Sequence, residues 1–187
     1  MAAMSFFLIT FALALGVALL AGGSLREVME TRLRGTRALF LAFGIQLVLD
    51  RFGPQGGAGG IAYVLLVASY LLLLGFCAAN IHLRGMSVVA IGIALNAAVI
   101  TVNQGMPIRT SRGEVSTTVK HHPERPSDRL MPLADIIVVP PVNQALSFGD
   151  LIMVVGLMDV LVHRSRATSG RRGRRSRAGR MTALSTA

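Results

Sequence analysis

ALFLAFGIQLVLD, Ala38 to Asp50, decides how many times this chain crosses a membrane. Its uncharged core runs only from Ala38 to Leu49 and includes Gln46, short of the roughly 20 apolar residues that a spanning helix needs. The alternative is an interfacial segment. Arg37 can snorkel inward, and Asp50 and Arg51 can reach headgroups, which lengthens its effective span.

The surrounding composition belongs to a membrane protein: 52% of the 187 residues are hydrophobic and 15% charged, the charges crowded into short runs. Met1 to Leu25 and Gly85 to Ile108 carry no charge, and Phe52 to Leu83 carries none apart from His82. A charge count then settles the doubtful segment. If it spans, 13 basic residues share one side against 6 on the other; if it does not, the split is 10 against 9. Positive charge collects on the cytoplasmic side, which favours spanning.

The expected fold is therefore all-α: a polytopic transmembrane helical bundle of about five spans, near residues 5–23, 37–52, 61–80, 86–103 and 147–163. A long extracytoplasmic loop, 104–146, separates the last two, and a disordered arginine-rich cytoplasmic tail, 164–187, follows the 1–163 membrane domain. The amino terminus lies outside. The first segment lacks the positive start of a signal peptide, so it reads as an uncleaved span, with cleavage near Ala21 to Gly23 as the alternative. Its Ala12 and Gly16 have the spacing of a close helix contact. SLREVMETRLRG, from Ser24 to Gly35, reads either as an amphipathic surface helix or as a charged connector.

Several polar groups would then gather at the outer face. Gln46 and Asp50 end the second span, Asn103 ends the fourth, and Asp150 begins the fifth, where Ser147 and Asp150 have capping-box spacing. The loop adds Lys120, His121, His122, Arg125, Asp128, Arg129 and Asp135. Such residues bind an anionic headgroup or place an acid beside a base; the bland reading is a solvated loop. The ligand-binding candidates are Asp50, Asn103, Lys120, His121, Asp135 and Asp150. Within the membrane lie Asn96, which reads first as glue between helices, and Asp159, placed to pair with His163 or Arg164.

No metal or cofactor is expected, because adjacent His121 and His122 diverge in most backbones and no metal-ligand spacing accompanies them. The single Cys77 excludes an intrachain disulfide. The net charge of +10 is almost all arginine, with Lys120 the only lysine. The tail reads as an anchor to anionic lipid; nucleic acid is not an expected partner, since no aromatic residue is interleaved for stacking. A homo-oligomer or a membrane protein partner is the other association expected.

ALNAAVITVNQGMPI, KHHPERPSDRLMPLADIIVVPP and SFGDLIMVVG, in that order, resemble the uncharacterised bacterial membrane family catalogued as domain of unknown function 5317. The matching positions are Asn103, Gly105, Met106 and Pro107; Lys120 and His121; Asp135, Ile136 and Pro140; and Ser147, Gly149 and Asp150. Gln104 stands where the family pattern has glycine and Val138 where it has proline. The resemblance runs from the first span to about His163 and implies that loop and last helix form one pattern. It implies no activity. The expected function is a non-enzymatic membrane protein whose outer loop packs on the bundle and binds a lipid headgroup, a small ligand or a partner protein. A membrane-embedded enzyme or small-solute transporter is the alternative.

Overall fold

Long apolar runs broken by glycine, asparagine and arginine favour helices that close their own backbone hydrogen bonds and stop where the side chains turn polar. The computed structural model describes residues 15, 16, 26, 29–54, 60–109, 118–139 and 144–166. Nearly all of the expected first span, Ala12 included, four residues of the 24–35 segment (24, 25, 27 and 28) and nearly all of the tail lie outside the described residues.

Among the described residues four helices carry the fold: α1 (Thr36–Phe52), α2 (Gly60–Ala79), α3 (Met86–Asn103) and α4 (Phe148–Arg166). Two of them, α2 and α3, are long and apolar enough to cross a membrane. Among the described residues the expectation of about five spans is therefore supported for these two alone. At 17 residues α1 is short, and α4 is interrupted by Asp150, Asp159 and Arg164.

The 104–146 stretch also departs from the expected plain loop and from an all-α fold. It forms a cap with β1 (Met106–Ile108), β2 (His121–Pro123), a 3-10 turn (Met131–Leu133), β3 (Ile137–Val139) and β4 (Gln144–Leu146). Strands β1 and β2 run parallel, pairing Met106 with His121, and β3 and β4 form an antiparallel pair. Pairing is required because Met106, Pro107, Val119, His122 and Asp135 are buried and their backbone groups have no water to bond. The Met106 N–H donates to Lys120 O at 2.6 Å, and Asp135 N–H to Pro107 O at 3.1 Å.

Consecutive helices pack as neighbours, α1 on α2, α2 on α3 and α3 on α4. Gln46 Nε2 donates to Ser69 Oγ (3.1 Å) between the first pair, and Tyr63 Oη to Thr101 O (3.0 Å) between the second. The third pair is antiparallel and meets along glycines seven residues apart, Gly85 and Gly92 facing Gly156 and Gly149. A Cβ on Gly92 would come within 2.5 Å of the Gly149 carbonyl oxygen, and one on Gly85 equally close to that of Gly156. At the end of α3, Gln104 turns left-handed (φ 54) while Gly105 N–H reaches back to Ile100 O at 3.0 Å. That backbone explains the glycine of the family pattern at this position.

Candidate functional site

One asparagine clamp and one buried polar chain join cap to bundle, and a second clamp closes the opposite end. Asn103, in the last turn of α3, holds both backbone groups of Arg129: Arg129 N–H donates to Oδ1 and Nδ2 donates to Arg129 O, each at 2.8 Å. Asn80, fully buried just past α2, holds Arg34 in the same way at 2.8 and 2.7 Å. In both, the amide also bonds the carbonyl four residues back, Val99 or Phe76. A carboxamide mimics an extended backbone, so each clamp fixes a distant segment to a helix end.

The chain of buried groups starts at Asn96 on α3. Its Oδ1 accepts from Ser147 Oγ (2.9 Å) and its Nδ2 donates to Asp150 Oδ1 (2.8 Å). Ser147 and Asp150 close the capping box reciprocally, Asp150 N–H to Ser147 Oγ at 3.0 Å and Ser147 N–H to Asp150 Oδ2 at 3.1 Å. Gly149 makes room for this, since a Cβ there would strike Asn96 Oδ1. One helix start thus serves both as a cap and as the bonding partner of Asn96.

Above it lie the groups carried by the cap. Lys120, partly exposed, hydrogen-bonds Tyr70 of α2 and feels both Asp150 and Asp135. Burial opposes its charge, but Tyr70 and the two carboxylates outweigh burial and hold the ammonium above the ordinary lysine range. Asp135, 5% exposed, is pushed up to about 7 by burial and by Asp150, with Lys120 opposing. His121 Nε2 lies 3.5 Å from Asp135 Oδ2. Burial, then Lys120 and His122, push His121 down to about 3, so the pair is a polar contact with a neutral imidazole. One ammonium faces two carboxyl groups, so the cluster is short of positive charge once Asp135 is ionised, above about 7.

Of the sequence candidates, Lys120, His121, Asp135 and Asp150 come together here, with Asn96 beneath. Asn103 serves the cap as a clamp. Asp50, exposed on the last turn of α1, is not among the charges acting on Lys120 or Asp135. Asp159 lies at the opposite end, 2.9 Å from His163 Nδ1 and 3.7 Å from Arg84 Nε, while Arg164 Nε donates to Thr31 Oγ1. The adjacent histidines do diverge, His122 turning to Pro123 O (2.9 Å) with its Nε2 buried and unbonded among the described residues. Among those residues no three His, Cys, Asp or Glu side chains group as metal ligands would.

Sequence reasoning missed Tyr70, Asn80 and the glycine seam. Tyr70 is one of only two tyrosines, the one available signal inside an otherwise aliphatic run. Asn80 reads as an ordinary helix stop, and nothing local announces a partner 46 residues away.

No curated protein and no solved structure matches the chain. The stretch from the first clamp through the cap to the last helix is nonetheless a unit found elsewhere: residues 30–162 match the family of unknown function DUF5317, and the chain belongs to that family.

Proposed function

We propose that this chain is a multi-pass integral membrane protein, without catalytic activity, whose cap faces the extracytoplasmic side and closes a site for a small ligand carrying a protonated amine. One observation carries the reading: Lys120, His121, Asp135 and Asp150 converge where cap meets bundle, with carboxyl groups in excess. The surplus acid suits a cation better than an anionic headgroup, and Lys120 and His121 are partly exposed there.

The bilayer itself is supported by the helix flanks. Phe40 is 73% exposed and Ile61 80%, and Phe43, Leu47, Val64, Leu71, Ile91 and Val155 also face outward. Only 39% of the apolar stretch of α2 and of α3 is buried, whereas a soluble core helix would hide most of it. A soluble monomer rarely leaves so much apolar surface uncovered, and helices are the structure that lipid accepts. Close glycine contacts such as those of α3 and α4 recur in lipid, where packing replaces the hydrophobic drive. The basic residues orient the chain with its tail in the cytoplasm, against anionic lipid. A second copy or another membrane protein remains a partner of this reading; nucleic acid does not.

The test uses ethanolamine as probe on detergent-purified protein. Thermal stability of the wild type should rise by several degrees as ethanolamine saturates the site, with no rise for propionate and none for Asp135→Asn. Equal indifference of both proteins to ethanolamine would overturn the binding reading. The 3.5 Å approach of His121 to Asp135 favours one second reading, an enzyme or transporter using that pair. Consumption or vesicle uptake of the amine by wild type, abolished in His121→Ala at unchanged abundance, would establish it instead.

A further inference from the structure

Two non-glycine residues among those described take a positive φ, Gln104 and Leu130. Gln104 ends a helix. Leu130 (φ 57) has no such reason: it precedes the 3-10 turn and leaves a large apolar side chain 42% exposed. A left-handed leucine is disfavoured because its Cβ crowds the carbonyl oxygen, and it persists only where its surroundings impose it. They do so here. The Asn103 clamp fixes Arg129 on one side, and Leu133 N–H closes onto Leu130 O at 2.8 Å on the other.

The turn that follows packs against α3 and α4, so Leu130 is held at the level where α3 ends and α4 begins. Val102 and Phe148, at those same helix ends, are exposed too. Arg129 immediately precedes it and Arg125 lies one tight turn earlier, where Asp128 N–H donates to Arg125 O at 3.0 Å; both arginines are exposed, and neither guanidinium enters an ion pair among the described residues. Arg109, by contrast, is gripped by Glu124 at 2.7 and 2.9 Å. Strain, exposure and free positive charge coincide on one rim of the cap.

We propose that Leu130 is a wedge at the membrane interface, its side chain entering the acyl layer just below the headgroups while Arg125 and Arg129 bind phospholipid phosphates. The guanidinium fork matches phosphate oxygens in geometry and charge, and an apolar tip beside two such groups matches the boundary between headgroup and chain. The occupant is therefore a phospholipid surface containing anionic lipid. This inference rests on the bilayer part of the proposed function and is independent of the ligand site.

The chain has no tryptophan, so Leu130→Trp and Phe40→Trp each create a single reporter. Each is reconstituted into phosphatidylcholine and phosphatidylglycerol vesicles, with or without bromine on the acyl chains near the headgroup. Both tryptophans should emit at short wavelength and be quenched, and Arg125→Gln with Arg129→Gln should reduce quenching at position 130 only. Quenching of Phe40→Trp alone would overturn the wedge and leave the bilayer reading intact; quenching of neither would remove both. Leu130→Gly supplies a variant that the left-handed backbone accepts, so released strain offsets its freer unfolded chain and detergent stability stays close to wild type. Wild type should gain hydrogen-exchange protection over 129–133 on transfer from detergent to vesicles. Equal gain by Leu130→Gly would contradict the wedge.

Discussion

Burial moves the two partners of the His121 and Asp135 contact in opposite senses, and their pH dependences therefore oppose each other. Asp135 rises from 3.8 to about 7, so the folded state binds its proton more tightly, and this contribution to stability falls as pH climbs through that window. His121 drops from 6.5 to about 3, so the unfolded state holds that proton, and this contribution grows as pH climbs from about 3 to 6.5. In the wild type the two slopes largely cancel between 3.8 and 6.5. Unfolding in detergent should then show Asp135→Asn gaining stability with rising pH and His121→Asn losing it, each by at most about 1.4 kcal/mol per pH unit. Parallel slopes in the two variants would refute the assignment. The residue types at this site were legible, because Lys120, His121, Asp135 and Asp150 are the polar exceptions of an oily chain. Their environment was not: that His121 is neutral and that Tyr70 meets Lys120 depend on a cap packing that no local spacing encodes.

Helices α1 to α4 follow the apolar runs closely, since a run of Leu, Val and Ala bounded by Gly35, Gly53, Gly85 or Ser147 has little other way to satisfy its backbone. The Ser147 and Asp150 capping box was readable for the same reason, three residues sufficing to define it. The strands of the cap were not, each being three residues long and too short to display an alternation. Nor was the α3 and α4 seam, because glycines seven apart mean nothing until two helices are set antiparallel. The seam makes a sharp prediction. Gly149→Ala should destabilise by about 2 kcal/mol or more through overpacking and loss of the Asn96 bonds, as a Cβ there meets Asn96 and lies 2.7 Å from Gly92 O. Gly44→Ala and Gly75→Ala, where a Cβ meets nothing within 4 Å, should stabilise by up to about 1 kcal/mol through helix propensity. Chemical denaturation of the three variants checks both signs, and a neutral Gly149→Ala would mean that the helices do not approach this closely.

On the scale of the whole molecule, a helical bundle carries at one end a strand-containing cap, sealed by Asn103 and by the Asn96, Ser147 and Asp150 chain. The opposite end is held by the Asn80 clamp and by Asp159 with Arg84 and His163. The distribution of basic residues was legible in the sequence, and the orientation proposed for this axis rests on it; the division of polar groups between its two ends, which separates Asp159 from the Asp150 cluster, follows from the antiparallel packing of α3 and α4. The proposed account stands or falls on the cap lying outside the cell membrane. The direct test is a single cysteine at Ser116, in a Cys77→Ser background, exposed in intact cells to a membrane-impermeant maleimide. Labelling before the cells are opened is the predicted result, with cytoplasmic marker proteins unlabelled; protection until lysis followed by full labelling would put the cap in the cytoplasm and contradict the account.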